Sequence, residues 1–388
     1  MDQALLELNT TPATDAERCG FELGWDHAHH GLVPPPELLL TGTPLRQGWQ
    51  AGRAVFGSRT LAGTLPVRRW LALRIQAWRT AVPFEGHQLT ADYLAQIEVS
   101  HCPVTRRALG GASFGSGAGD APVFERLLPQ GSYAAGHLVV ISRAASQARA
   151  GCSSEQALAT AERLARDGLD EEAGLDVAAW RRLAVLISFV TPLAHAQAAQ
   201  LPMCVLPPNR VRVLNAAQGL QALVTWQLGS AGWSRRLRQL AEFAEEISGE
   251  AAIRHDFQLV VGALAPRVLE LTPDAGPLRQ RHALEDLWRD ARVQRRWSHL
   301  VLSLGAAACE HLATRAAAAG LGGVRTLVHD AHTATEAWGS ALPSLLKPSR
   351  RRQLLVAAWQ RAHLGEHPGA NLGAAAPAPL AAPPKTAR

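Results

Sequence analysis

The sequence predicts a mainly α fold: a large helical body with a small ββα insert near the N-terminal third. Three observations carry this. Apolar residues make up 47% of the 388 residues, enough for a substantial core. From about residue 155 onward they recur at helical spacing. The stretch His101–Gly151 breaks that pattern with glycine-rich turns and a β-branched run, HLVVIS, too short for a helix of its own. At ~100–200 residues per domain the length suits two or three units. Composition divides the chain into 1–97, helical with an Arg/Trp-rich segment; 98–151, the ββα element; 152–365, all-helical; and 366–388, a disordered Ala/Pro tail.

The elements follow in order. The first twenty residues are a loose amphipathic entry, and Phe21–Gly31 reads FELGWDHAHHG before Pro34, Pro35 and Pro36 break the chain. Leu38 to Phe84 holds seven arginines and no acid. Within it, Leu71, Ile75 and Trp78 form a helical stripe over Val67–Thr80, and Pro83 ends it. A short helix over Thr90–Ile97 takes Thr90 as its N-cap. Strands are expected at Ala121–Leu127 and His137–Ser142, joined through the turn Pro129–Ser132, with a helix over Ser142–Gly151. Helices then follow at Glu155–Asp167, Ala178–Val190, Ala216–Leu228, Ser234–Ser248, Ile253–Leu271, Leu278–Arg289, Arg292–Leu304 and Ala306–Ala319. His329–Trp338 and Ser349–Leu364 close the series, ahead of the tail from Glu366.

Several classes fall away. The longest apolar runs, Leu183–Val190 and Leu300–Cys309, are too short to span a bilayer, so no membrane role is expected. The acidic start MDQALLELNT does not read as a secretory signal. Five scattered cysteines without a CxxC argue against a disulfide framework and against a structural zinc. Reduced thiols make a cytoplasmic location the expectation. Walker and GxGxxG motifs are absent from the sequence.

One constellation has a chemical shape. CPVTRRAL at Cys102–Leu109, followed by ERLLPQGSYAAGHLVVISRAASQARAG at Glu125–Gly151, resembles the core of HNH-type (treble-clef, His-Me finger) nucleases. The positions matching that family are Cys102-Pro103, Glu125-Arg126, Ser132-Tyr133, Gly136-His137, Ser146 and Arg149. The resemblance covers residues 101–151 only. It implies one divalent metal, Mg²⁺ by its preference for hard oxygen, held between strand and helix, with Glu125 as ligand and a histidine such as His137 activating water. The departures imply loss of activity. Arg126 stands where a base would, and a guanidinium accepts no proton at neutral pH. Ser146 replaces a stronger helix ligand, and His137 replaces the Asn that braces the loop in the family. The resemblance therefore points to a degenerate element touching nucleic acid through Arg126, Arg143 and Arg149.

Two further candidates come from the residues alone. Asp26 and His30, four apart on a helix, would share a face and hold a transition metal; a turn with solvated histidines is the alternative. On the Val67–Thr80 helix, Trp70, Arg74 and Trp78 interleave a cation with stacking surfaces, beside Arg68 and Arg69. That suits bases and phosphates, or else an ordinary packed helix with snorkelling arginines. A second basic patch joins Lys347 to Arg350–Arg352. All but two of the 39 basic residues are arginine, whose planar fork matches phosphate. The functional expectation is a cytosolic nucleic-acid-associated protein, with DNA or RNA as partner. The alternatives are a helical scaffold or adaptor, and a metal-dependent phosphodiesterase.

Overall fold

The computed structural model describes residues 14–110, 114, 117–271 and 276–321. The chain divides into two units, and Pro12–Lys347 holds all the described residues; the other, Met1–Thr11 with Pro348–Arg388, lies outside them. The predicted helices His329–Trp338 and Ser349–Leu364, the Lys347/Arg350–Arg352 patch and the tail from Glu366 also lie outside the described residues.

The fold is mainly helical. Three N-terminal helices come first: α1 (Asp15–His29), α2 (Pro44–Phe56) and α3 (Leu65–Arg79). A capping box between Thr14 and Glu17 starts α1. The pairs Phe21–Gly48, Trp25–Gly52 and His29–Phe56 run in the same sense along both chains, so α1 and α2 lie parallel. Trp78 meets Gly20 and Arg74 meets Asp26, so α3 runs antiparallel to α1. Short α4 (Ala91–Ile97) is capped by the Thr90 hydroxyl, which accepts the Tyr93 amide.

Two antiparallel strands follow, β1 (Pro122–Arg126) and β2 (Leu138–Ser142), in a register that pairs Pro122 with Ser142 and Arg126 with Leu138. α5 (Arg143–Arg149) starts directly from β2, with the Ser142 hydroxyl accepting the Ala145 amide. All five β2 residues are buried. Side chains alternate along a strand, and here the two faces serve two cores. Leu138 and Val140 join Leu73, Leu89, Leu94 and Ile97 of the α3–α4 layer. Val139 and Ile141 join the large core of the helical body. The strand pair is thus a partition, apolar on both sides, which explains the uninterrupted run LVVI.

The body comprises α6 (Ser154–Asp167), a small hairpin of β3 (Glu171–Glu172) and β4 (Leu175–Asp176), α7 (Val177–Ser188), α8 (His195–Gln200), α9 (Ala216–Leu228), α10 (Trp233–Ser248), α11 (Ala251–Leu269), α12 (Pro277–Asp286) and α13 (Ala291–Ala318). α7 and α9 are nearly sheathed by their neighbours. Their polar residues pair internally: Asn215 donates to the Ser188 and Thr191 carbonyls, and Gln218 donates to the Ser188 hydroxyl at 2.7 Å. α13 is two helices merged across Gly305, whose φ of 74° no helix accommodates; the sequence places its break at that residue. Among the described residues no helix is long and apolar enough to cross a membrane.

Candidate functional site

The ββα element places Glu125 at the end of β1 and Ser146 and Arg149 on α5, and brings all three together. The Ser146 hydroxyl donates to Glu125 Oε2 at 2.6 Å. Arg149 forms an ion pair with Glu125 Oε1. The same guanidinium donates to the Arg126 carbonyl at 2.5 Å and the Leu127 carbonyl at 2.6 Å. Those carbonyls lie where the β1–β2 ladder runs out, so the arginine ties the strand end to the helix. Arg149 is 1% exposed.

This geometry does not fit a metal. The space between strand end and helix, where the nuclease resemblance implies a divalent cation, is filled by a cation of the chain's own. Glu125 is occupied as its counter-ion, and Arg149 faces inward rather than toward a polyanion. Among the described residues no group of three His, Cys, Asp or Glu side chains stands together to hold a metal ion.

His137 is fully buried. Its Nε2–H donates to the Ser132 carbonyl at 2.9 Å, an assignment fixed by the carbonyl, which only accepts. Burial above all, with Arg126, Arg149 and Arg212 nearby, holds its pKa down to about 3. With so low a pKa the imidazole is a weak base, and it is closed off from solvent, so it is poorly placed to activate water. Arg126 donates to the Gly131 carbonyl and lies 4.8 Å from the Tyr133 ring centre, bracing the loop between the strands. Arg143 is half-buried at the start of α5, its amide bonded to the Ala121 carbonyl. Cys102 sits at the base of a tight turn, its Sγ accepting the Thr105 and Ser142 amides.

Asp26 lies on α1 while His30 is the residue that caps its C-terminal end, and Asp26 is buried and ion-paired with Arg74 of α3. That pair also places Arg74 over the Trp70 ring, 4.6 Å from its centre. Trp70 donates its indole N–H to the Leu89 carbonyl and Trp78 to the Ala16 carbonyl. Arg69 pairs with Glu98 and covers the Phe114 ring, and Arg68 Nε donates to the Gly63 carbonyl at 2.9 Å. The Trp–Arg–Trp stripe is therefore an internal stack against α1 and α4, and not a platform for bases.

A feature that sequence reasoning missed lies in the helical body. A cleft of about 750 Å³ opens between α7, the loop after α8, the end of α11 and the α12–α13 junction, and is lined among others by Arg181, Arg182, Arg267 and Arg289. The available signal was the Arg181-Arg182 pair inside the otherwise apolar run Ala178–Val190. Comparison with family models, with curated proteins and with solved structures gives no match to this chain.

Proposed function

We propose that the protein is a non-catalytic helical scaffold or adaptor in which the ββα element acts as a structural strut. The observation that carries this reading is the Arg149 guanidinium on Glu125, at the position a metal would need. A buried guanidinium bonded to a carboxylate and two carbonyls clamps the helix to the strand pair, and it leaves neither an open coordination position nor a free base. The test is a nicking assay on supercoiled DNA with Mg²⁺ or Mn²⁺. The expected result is no cleavage above buffer, with chelation and Glu125→Ala changing nothing. Metal-dependent nicking lost in that variant would overturn the reading.

A second reading, nucleic-acid association, keeps one supporting observation. Arg53, Arg59, Arg68 and Arg79 are exposed within the acid-free segment, and none forms an ion pair among the described residues. Phosphate contacts made by these groups would weaken steeply with salt. Titration of DNA and RNA between low and moderate salt decides: a flat, weak response removes this reading.

A further inference from the structure

The geometry points to the arginine-lined cleft of the helical body as a binding site for a small phosphate ester, taken up by Arg182 with Arg181 and Arg289. Arg182 is the centre of the case. It is 6% exposed, on α7, and lines the cleft. Its Nε donates to the Val104 carbonyl at 2.6 Å. No other hydrogen bond and no ion pair engages it among the described residues, which leaves two terminal nitrogens for whatever the cleft holds. A charge taken out of water without a partner is costly, and burial, with Arg106 close by, accordingly lowers the pKa of Arg182.

The surrounding charges sharpen the assignment. The carboxylates on the wall are already matched: Asp286 by Arg106 at 2.7 Å, and Asp290 by Arg267 at 2.6 Å. Asp290 also caps α13 by accepting the Arg292 and Val293 amides. Arg181 and Arg289 form no ion pair among the described residues. The surplus is thus three guanidinium groups, and a phosphate dianion answers it better than a single carboxylate. The cleft volume is that of metabolite sites, at roughly 300–1,000 Å³, and so exceeds what a bare ion needs. Ala178, Pro202 and Ala291 give the remainder of a ligand an apolar wall. The nearby thiol, Cys204, is held protonated by burial, its pKa pushed up to about 12. It is therefore no nucleophile at neutral pH.

The test is calorimetric titration of the full chain with inorganic phosphate, phenyl phosphate and acetate. Phenyl phosphate is expected to bind more tightly than inorganic phosphate, and acetate not measurably. Arg182→Met should weaken phenyl phosphate about tenfold or more, as loss of charge-assisted hydrogen bonds does, while Arg235→Gln, far along the chain on α10, should leave it unchanged. Should Arg182→Met fold poorly, the pair Arg181→Gln and Arg289→Gln provides the same readout from less buried positions. No phosphate binding, equal affinity for acetate, an ester no tighter than the inorganic ion, or unchanged affinity in the arginine variants would each overturn the assignment.

Discussion

Arg149 is 1% exposed and carries a charge that is never neutralised by losing its proton, so its surroundings must answer that charge. Glu125 supplies the counter-charge, and two strand-end carbonyls accept from the terminal nitrogens, while the buried Nε has no hydrogen-bond partner among the described residues. Breaking a buried pair from one side costs more than removing it whole, because the survivor is left uncompensated. Glu125→Ala should therefore destabilise by about 3–5 kcal/mol. The double variant Glu125→Leu with Arg149→Met should recover most of that loss. Urea midpoints at constant m-value give the comparison. A single variant within about 0.5 kcal/mol of wild type, the range of ordinary surface changes, would mean that the clamp does not hold the element. The sequence carried the spacing of Glu125, Ser146 and Arg149, and that spacing does bring them together. It did not carry their pairing: a guanidinium and a metal answer the same carboxylate, and only the contact distinguishes them.

At the scale of elements, the contact of α1 with α2 is the most demanding. A Cβ on Gly24 would stand 1.9 Å from the Leu45 carbonyl oxygen, and one on Gly48 1.9 Å from that of Phe21. Backbone meets backbone there, so neither neighbour can yield by a rotamer change. Gly48→Ala should destabilise by roughly 2 kcal/mol or more, within the range of overpacked cores, despite the helix propensity that alanine brings. Gly262 on α11 is the control: nothing lies within 4 Å of its would-be Cβ. Gly262→Ala should stabilise by about 0.5–1 kcal/mol. Thermal denaturation of the two variants must move in opposite directions; a shared direction would deny the close approach. These glycines also explain why α2 was not legible. Gly48 and Gly52 lower helix propensity in PLRQGWQAGRAVF, and the reason they are tolerated lies on another helix. Segments whose signal is local, such as Ala216–Leu228 and the break at Gly305, were legible. The inward facing of Trp70, Arg74 and Trp78 was not, since the partner that draws Arg74 in, Asp26, is 48 residues away. The cleft was hidden for the same reason, being assembled from four separate stretches of chain.

Across the whole molecule, β2 couples two cores, so loss of the helical body exposes the partition as well. Buried groups at that partition therefore report on global unfolding. His137 is the clearest. Its native pKa is held to about 3 by burial, while an unfolded histidine titrates near ~6.5. Below about pH 6.5 the unfolded chain binds a proton that the native chain refuses, so stability falls as pH drops toward 3. Burial lowers the pKa of His27 and His282 as well, and both act in the same direction. The unfolding free energy is thus expected to decline from pH 7 to pH 4, with His137 alone contributing a slope approaching ~1.4 kcal/mol per pH unit. His137→Gln keeps an N–H donor for the Ser132 carbonyl but has no proton to gain. Its pH profile should be shallower by about one proton between pH 6 and 4, measured by urea midpoints at each pH. An unchanged slope would mean that His137 reaches solvent without global unfolding, and that the two cores do not open together.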